Sequence, residues 1–487
     1  MRFFGLGLGH IINILTTGKP EGLPYLRLNV SAPNIDTIQR TIALIIIGPL
    51  IYVAGQTFTT NDSYNGYTLF SPEFSRFTYL IDNNGTIVHT WKSHHIQGLG
   101  VYLLENGDLL RTALGPESTF FSGITSSVER FDWNGTRLWT FTYGDDQHHL
   151  HHDIKPLPNG NILMIALENK TRDEAINAGK NPNQPTDTWT NIYSGFIMEI
   201  KPNGTKRGDI VWEWHAWDHL IQDYDSTKTN YGAIADHPEL LDINYHTPEM
   251  GTHTIDLHHI NSINYNPDLD QILISSRHYN ELWIIDHSTT TQQAQGHTGG
   301  RYNHGGDLLY RWGNPHAYDT GDPTNQQFFC PHDARWIPPD CPGHGDILVF
   351  NNGNNRPPTP YTSIDELTPP LTANGSYYRT PGTAYGPHNL TWTYTTDTYQ
   401  EFLGGAQRLP NGNTLICLGS SARFIEVAPD TTIVWRYDNI FPYPLTTKKN
   451  LTCFPFNLLI YTTDVFKINR YPPDYPGLHN LSLLRAI

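Results

Sequence analysis

The chain has 487 residues and a formal net charge of −16, with no dense Lys/Arg stripe, which excludes the cationic surface a nucleic-acid partner requires. Gly, Pro and Tyr are plentiful, Thr and Asn with them, and apolar residues at helical spacing are hard to find. That composition points to an all-β, turn-rich fold.

The first element in chain order is the apolar run at residues 42–54. It is shorter than the roughly 20 residues of a full membrane crossing, so a signal-peptide core and a marginal membrane anchor both fit, as does a buried strand or short core helix. Arg2, Lys19, Arg27 and Arg40 precede it, and no Lys or Arg follows until Arg76. By the positive-inside bias everything downstream is expected outside the cytoplasm, secreted or attached to the membrane through 42–54. Asn-x-Ser/Thr sequons at Asn29, Asn61, Asn84, Asn134, Asn169, Asn203, Asn374, Asn389, Asn450 and Asn480 agree with a glycosylated, extracytoplasmic surface.

From about residue 76 a unit recurs: an inner strand, an Asn-Gly turn, a second strand, another turn, and an outer strand carrying Trp. The turns read Glu-Asn-Gly-Asp at 105–108, Pro-Asn-Gly-Asn at 158–161 and Pro-Asn-Gly-Asn at 410–413. A type I′ hairpin, with positive φ at both central residues, is the expectation. The closing tryptophans are Trp91, Trp139, Trp212, Trp312, Trp392 and Trp435, which predict a six-bladed β-propeller with one large apolar residue per blade interface. Residues 1–55 then form an N-terminal segment and 56–487 the propeller, with long loops at 170–190, 215–256, 287–305 and 353–390. Either the segment before Arg76 or the tail after Asp438 supplies the strand that closes the ring.

Three inner strands open with histidine: His151-His152-Asp, His258-His259-Ile-Asn261 and Pro331-His332-Asp. Inner strands line a propeller's channel, so residues at the same end of three of them converge although about a hundred positions separate them. His259 and Arg277 lie symmetrically about Asp268 in the turn Pro267-Asp-Leu-Asp270, which places them side by side, and the same folding-back brings Asn351 and Asn352 to His332. A ring of neutral imidazoles suits a transition metal or an anion. Arg277 favours the anion, and the lack of a compact carboxylate set weighs against calcium or magnesium. Tyr279, Trp336 and the Trp212, Trp214, Trp217 cluster are expected to pack rather than to stack on a ligand. Cys330, Cys341, Cys417 and Cys453 contain no Cys-x-x-Cys pair, and a Cys330–Cys341 disulfide requires the strand between them to fold back.

The His-Asp-Ile…Leu-Pro-Asn-Gly-Asn-Ile-Leu repeat, Asp256-Leu-His-His259-Ile-Asn-Ser-Ile with Ser275-Ser-Arg277-His, and Gly404-Gly-Ala-Gln-Arg-Leu-Pro-Asn-Gly-Asn resemble the arylsulfate sulfotransferase family over about residues 75–440. The resemblance implies a six-bladed propeller that moves a sulfuryl group from an aryl sulfate donor to a phenolic acceptor through a sulfohistidine, with no cofactor and no metal. It makes His332 the nucleophile, His259 and His152 donors to sulfuryl or phenolic oxygens, and Arg277 the anchor of the sulfate charge. His152 is chosen over His151 because His152-Asp-Ile-Lys-Pro aligns with His332-Asp-Ala-Arg-Trp. A metal-dependent hydrolase or lyase and a non-enzymatic propeller binding a glycan or protein are the competing readings.

Overall fold

Short antiparallel hairpins build the protein, and their turns differ from the expected type. In the computed structural model Gly107, Gly160 and Gly412 take φ of 87°, 86° and 88°, while the preceding asparagines keep negative φ. Each asparagine instead accepts, on its Oδ1, the N–H two residues on, at 3.1 Å for Asn106, 2.9 Å for Asn159 and 3.1 Å for Asn411. The Asn side chain thus replaces a backbone turn, and only the glycine needs the left-handed region.

The structure describes residues 56–115, 123–439 and 464–479, with the backbone of short strands at 11–16, 26–31, 443–444 and 461–462. The chain falls into two units, residues 1–53 and 54–487. In the first, Ile11–Thr16 pairs antiparallel with Leu26–Ser31. The apolar run 42–54 lies outside the described residues, and among those described no helix is long and apolar enough to cross a membrane.

The second unit is the six-bladed propeller that the tryptophan count predicts. From inner to outer strand the first blade runs 469–471, 67–70, 77–81 and 87–92; the second 96–103, 109–114, 127–131 and 137–142. The third runs 148–156, 162–171, 191–203 and 207–215; the fourth 260–266, 271–276, 281–286 and 310–312. The fifth runs 331–336, 347–351, 363–367 and 392–395; the sixth 405–408, 414–418, 423–427 and 433–438, with 56–59 as a fifth, outermost strand. Both ends of the unit therefore close the ring. The strand at 469–471 pairs innermost with 67–70, and 56–59 pairs with 433–438 on the opposite edge.

The core divides into wedges between neighbouring blades, and strand periodicity fills them. Ile272 and Ile274 face the third blade, while Leu273 between them faces the fifth. Each tryptophan then hydrogen-bonds forward. The indole N–H groups of Trp91, Trp139, Trp212, Trp312, Trp392 and Trp435 donate to Asp132 O, Arg207 O, Thr289 Oγ1, Pro387 O, Pro429 O and Asn83 O. Five acceptors lie in the connection between third and fourth strands of the next blade and Arg207 is the first residue of such a fourth strand, so the six bonds run once around the ring. Tyr279, Trp212, Trp214 and Trp336 are buried in these wedges, as the packing reading expects.

Several sequons occupy the same outer turns. Asn84, Asn134 and Asn203 each begin an Asn-Gly-Thr at the third turn of the first, second and third blades, and all three are exposed, as are Asn61, Asn374 and Asn389. Asn450 and Asn480 lie outside the described residues, as do Cys453 and the side chain of Asn29. Cys330, Cys341 and Cys417 are free thiols, so the fold contains no Cys330–Cys341 bridge.

Candidate active site

Each histidine-bearing inner strand bulges at its site end. Pairing jumps from Leu150 to Ile154 in the third blade, from Ile260 to Ser262 in the fourth and from His332 to Arg335 in the fifth. His152 and His259 take φ of 46° and 44°, and Asp333 and Cys330 take 51° and 56°. Left-handed backbone at bulky residues costs of order 1 kcal/mol each, and bulges serve to re-aim side chains, so stability is given up here to point imidazoles into the channel.

The imidazoles converge. The rings of His152 and His259 have centroids 4.8 Å apart, His151 lies 4.1 Å from His152 and 5.0 Å from His259, and His278 lies 4.7 Å from His259. His332 joins across Phe466, whose ring is 6.4 Å from His332 and 5.7 Å from His152. All three expected site histidines are buried, at 4 % for His152, 6 % for His259 and 2 % for His332. Arg277 is beside His259, its N–H donating to the His259 carbonyl at 3.2 Å. Among the described residues nothing hydrogen-bonds or ion-pairs with its guanidinium.

Hydrogen bonds fix the tautomer of His332. Both amide protons of Asn352 go to carbonyls, Gln400 O and Leu403 O, each at 2.9 Å. Its Oδ1 therefore faces His332 and accepts from Nδ1–H at 2.6 Å, with Cys330 O a second acceptor at 3.2 Å. The lone pair of His332 is left on Nε2. His259 presents Nε2 likewise, because its Nδ1 is held by the carboxylate of Asp256, which also accepts the His259 N–H at 3.2 Å. His151 Nδ1–H donates to Ile260 O at 3.0 Å, and His278 Nδ1–H to Asp256 O at 2.6 Å. His258 points away, accepting Gly195 N–H at 3.2 Å, so the second histidine of that pair is the one in the channel.

Electrostatics keep these rings neutral. Burial, then the charge of Arg277, lowers His332 to about 4. Burial, then neighbouring imidazoles and Arg277, holds His152 and His259 well below the ordinary histidine range. Three neutral nitrogen bases, His152, His259 and His332, beside an uncommitted guanidinium make a site for an anion whose far end can be attacked by a nitrogen lone pair.

Other residues were not read from the sequence. The carboxylates of Asp153, Asp256 and Asp333 adjoin the histidines, correcting the expectation of a site without them: Asp256 precedes His259 by three residues and the turn folds it back onto the ring. Asn261 does not face the channel; it donates to Pro331 O at 2.8 Å and accepts from Ser275 Oγ at 2.5 Å, tying the fourth blade to the fifth. Gly123 approaches so closely that a Cβ there would stand 1.9 Å from His152 Cε1. Leu99, Leu403 and Phe466 form a separate apolar cluster beside the imidazoles, and Phe466 comes from the C-terminal segment.

One ring nitrogen from each of His151, His152 and His259 lies within 4.8 Å of the others, a set that can hold a transition metal. A second group, His219, His297 and Asp307, is less suited, since His219 has both nitrogens engaged, by Asp307 Oδ1 and Ala294 O, each at 2.8 Å.

Among solved structures, the fold resembles a protein of unknown function from Bacteroides caccae, with 11% identity, a TM-score of 0.42, and coverage of 83% of this chain and 98% of that one. It also resembles an inactive variant of virginiamycin B lyase from Staphylococcus aureus with quinupristin, with 10% identity, a TM-score of 0.37, and coverage of 78% and 87%. No curated protein matches the sequence. Residues 56–439 match the family described as Arylsulfotransferase (ASST), a span that begins at the outermost closing strand and ends with the sixth blade; the chain belongs to the arylsulfotransferase family.

Proposed function

We propose that the protein transfers a sulfuryl group from an aryl sulfate to a phenol in two displacements through a sulfated His332. The observation that carries this is the division of the site: His152, His259 and His332 with Arg277 on one side, Leu99, Leu403 and Phe466 on the other. An aryl sulfate has the same two ends.

Arg277 pairs with the sulfate charge, and His152 and His259 border the sulfuryl oxygens. The ester brings a negative charge into a site kept neutral by burial and by Arg277, so one imidazole takes up a solvent proton with it. His332 Nε2 attacks sulfur, the S–O bond to the aryl oxygen breaks in line, and the departing phenolate, with a conjugate-acid pKa of about 10, takes that proton. The acceptor phenol returns a proton to the same imidazole as its oxygen attacks the sulfur of sulfohistidine, restoring His332. A covalent intermediate splits one difficult displacement into two easier ones.

The decisive experiment is mass spectrometry of protein quenched with a chromogenic aryl sulfate. One added sulfuryl group on His332, lost on addition of phenol, is expected; release of the phenol with no such adduct overturns the mechanism. The His151, His152 and His259 nitrogens favour one second reading, a metal-dependent hydrolase or lyase, which predicts stoichiometric zinc or copper and loss of activity with a chelator. We also place the propeller outside the cytoplasm. The charge pattern around residues 42–54 and the exposure of Asn61, Asn84, Asn134, Asn203, Asn374 and Asn389 support that location, and glycopeptide mapping of these six tests it.

A further inference from the structure

The C-terminal segment closes the first blade, and on its way there it passes directly behind the histidines. Residues 464–471 are held by three blades: Asp464 O accepts Glu73 N–H at 2.8 Å, Phe466 O accepts Gly404 N–H at 3.0 Å, and Asn469 Nδ2 donates to Val101 O at 2.9 Å. Between these anchors Lys467 turns into the channel and is 2 % exposed. Its ammonium donates to Asp153 Oδ2 at 2.5 Å and Tyr102 Oη at 2.7 Å, and lies 3.6 Å from Asp333 Oδ1.

The two carboxylates are not arbitrary partners. Asp153 follows His152 and Asp333 follows His332, inside the bulges that aim those imidazoles. Each also fastens its bulge to the next inner strand, Asp153 accepting Ile263 N–H at 3.4 Å and Asp333 accepting Ala406 N–H at 3.2 Å. Arg335 grips Asp333 at 2.7 Å but reaches no other site carboxylate, so Lys467 is the group that joins the two bulges to each other. Lys155, Arg335, Tyr102 and Tyr471 are the other charged and titratable groups around it.

We propose that Lys467 is a positioning residue for sulfuryl transfer: it holds the His152-Asp153 and His332-Asp333 bulges in fixed register, so the reaction centre is complete only when the ring-closing segment is seated. This rests on the sulfotransferase reading above. A displacement of about 1 Å between reacting groups costs about 10²-fold in rate, so Lys467→Met in the full chain should lower kcat by about that factor, with the donor KM changed less than about threefold. Removing the cation also leaves Asp153 without its ion pair beside His152, and Asp333 with Arg335 alone beside His332, so the acid limb of kcat/KM should move to higher pH. Arg277, Asn352, Cys330, Asp333 and Phe466 face His332, and His151, His259, His332, Arg277 and Phe466 face His152; the substitution changes none of these side chains.

Asp153→Asn and Asp333→Asn provide the converse. Each should lower kcat while moving the acid limb to lower pH, and Lys467→Met added to the double Asn variant should cost less than about threefold more. If Lys467→Met keeps wild-type kcat and profile, or loses activity only in proportion to folded protein measured by circular dichroism with the profile unmoved, the proposal fails. If it does not fold, Asn variants whose acid limb stays in place overturn it as well. A wild-type protein that never labels on His332 defeats the underlying reading; one that labels normally beside an unaffected Lys467→Met defeats this inference alone.

Discussion

The site end of the propeller has two halves built on one scaffold. Inner strands of the third, fourth and fifth blades present His152, His259 and His332; the second and sixth blades and the ring-closing segment present Leu99, Leu403 and Phe466. The second blade uses the same device as the third, since its pairing jumps from Gln97 to Val101 and leaves Leu99 in the bulge between two glycines. Backbone geometry thus supplies inward-aimed positions, and the side chain placed there decides whether the wall is basic or apolar. An enzyme acting on an amphipathic ester needs both.

The largest effect expected from breaking this division is at His332. His332→Asn should lower turnover by about 10³-fold or more, because the proposed covalent route runs through the imidazole that the variant lacks. Acceptor-dependent release of a chromogenic phenol measures it, and a fully active variant would mean that the polar half does not act through this nitrogen. Next is Arg277, the cation beside the site histidines. Arg277→Gln should cost on the order of 10²-fold in kcat/KM, and Arg277→Lys should recover only part, since a point charge replaces a planar fork of donors.

The apolar half should respond more gently. Leu99→Ser removes part of the wall for an aryl ring without touching a hydrogen bond of the histidines. Losing one such contact is worth roughly 1–2 kcal/mol, so kcat/KM for an aryl sulfate should fall about tenfold, chiefly through KM. An equal fall in kcat at constant KM would show that Leu99 aims a histidine instead.

The polar half was legible in the sequence and the apolar half was not, for a physical reason. Histidine is rare enough on an inner strand for three at matching positions to stand out, and hairpin symmetry about Asp268 put Arg277 beside His259, where Ile260 pairs with Ser276. The tryptophans were similarly distinctive and gave the blade count. A leucine in a bulge looks like any core leucine, and Phe466 and Lys467 lie in a tail whose path depends on ring closure, a contact across nearly the whole chain. Asp256 could have been found from its three-residue spacing to His259 together with their shared turn. The type I′ expectation failed because Asn-Gly serves two turn types, and only side-chain capping distinguishes them. The fold therefore followed from local repetition, while the site's completion depended on long-range contacts.

A final comparison separates two kinds of buried imidazole, and its expected effect is on stability rather than on turnover. The site histidines are pushed down by burial beside a cation. His287, after the third strand of the fourth blade, is flanked by carboxylates, its Nδ1 2.7 Å from Asp270 Oδ1 and its Nε2 2.8 Å from Glu199 Oε2 on the third blade. Burial opposes the charge there, but the two hydrogen-bonded carboxylates outweigh it and raise His287 to about 9. The signs of the pH dependence are therefore opposite. Between the unfolded value near 6.5 and about 4, the unfolded chain binds more protons than His332 does in the fold, so stability is lost as pH falls. For His287 the folded state binds the extra proton, so its contribution is fully present below about 6.5 and is lost as pH rises through about 9. His287→Gln should lower unfolding free energy by roughly 2 kcal/mol at pH 6 and by much less at pH 9.5, as read from urea midpoints. An equal loss at both pH values would show that His287 acts by packing against Trp212 and Tyr265, whose rings lie 5.0 and 5.3 Å away, rather than as a charge joining the third and fourth blades.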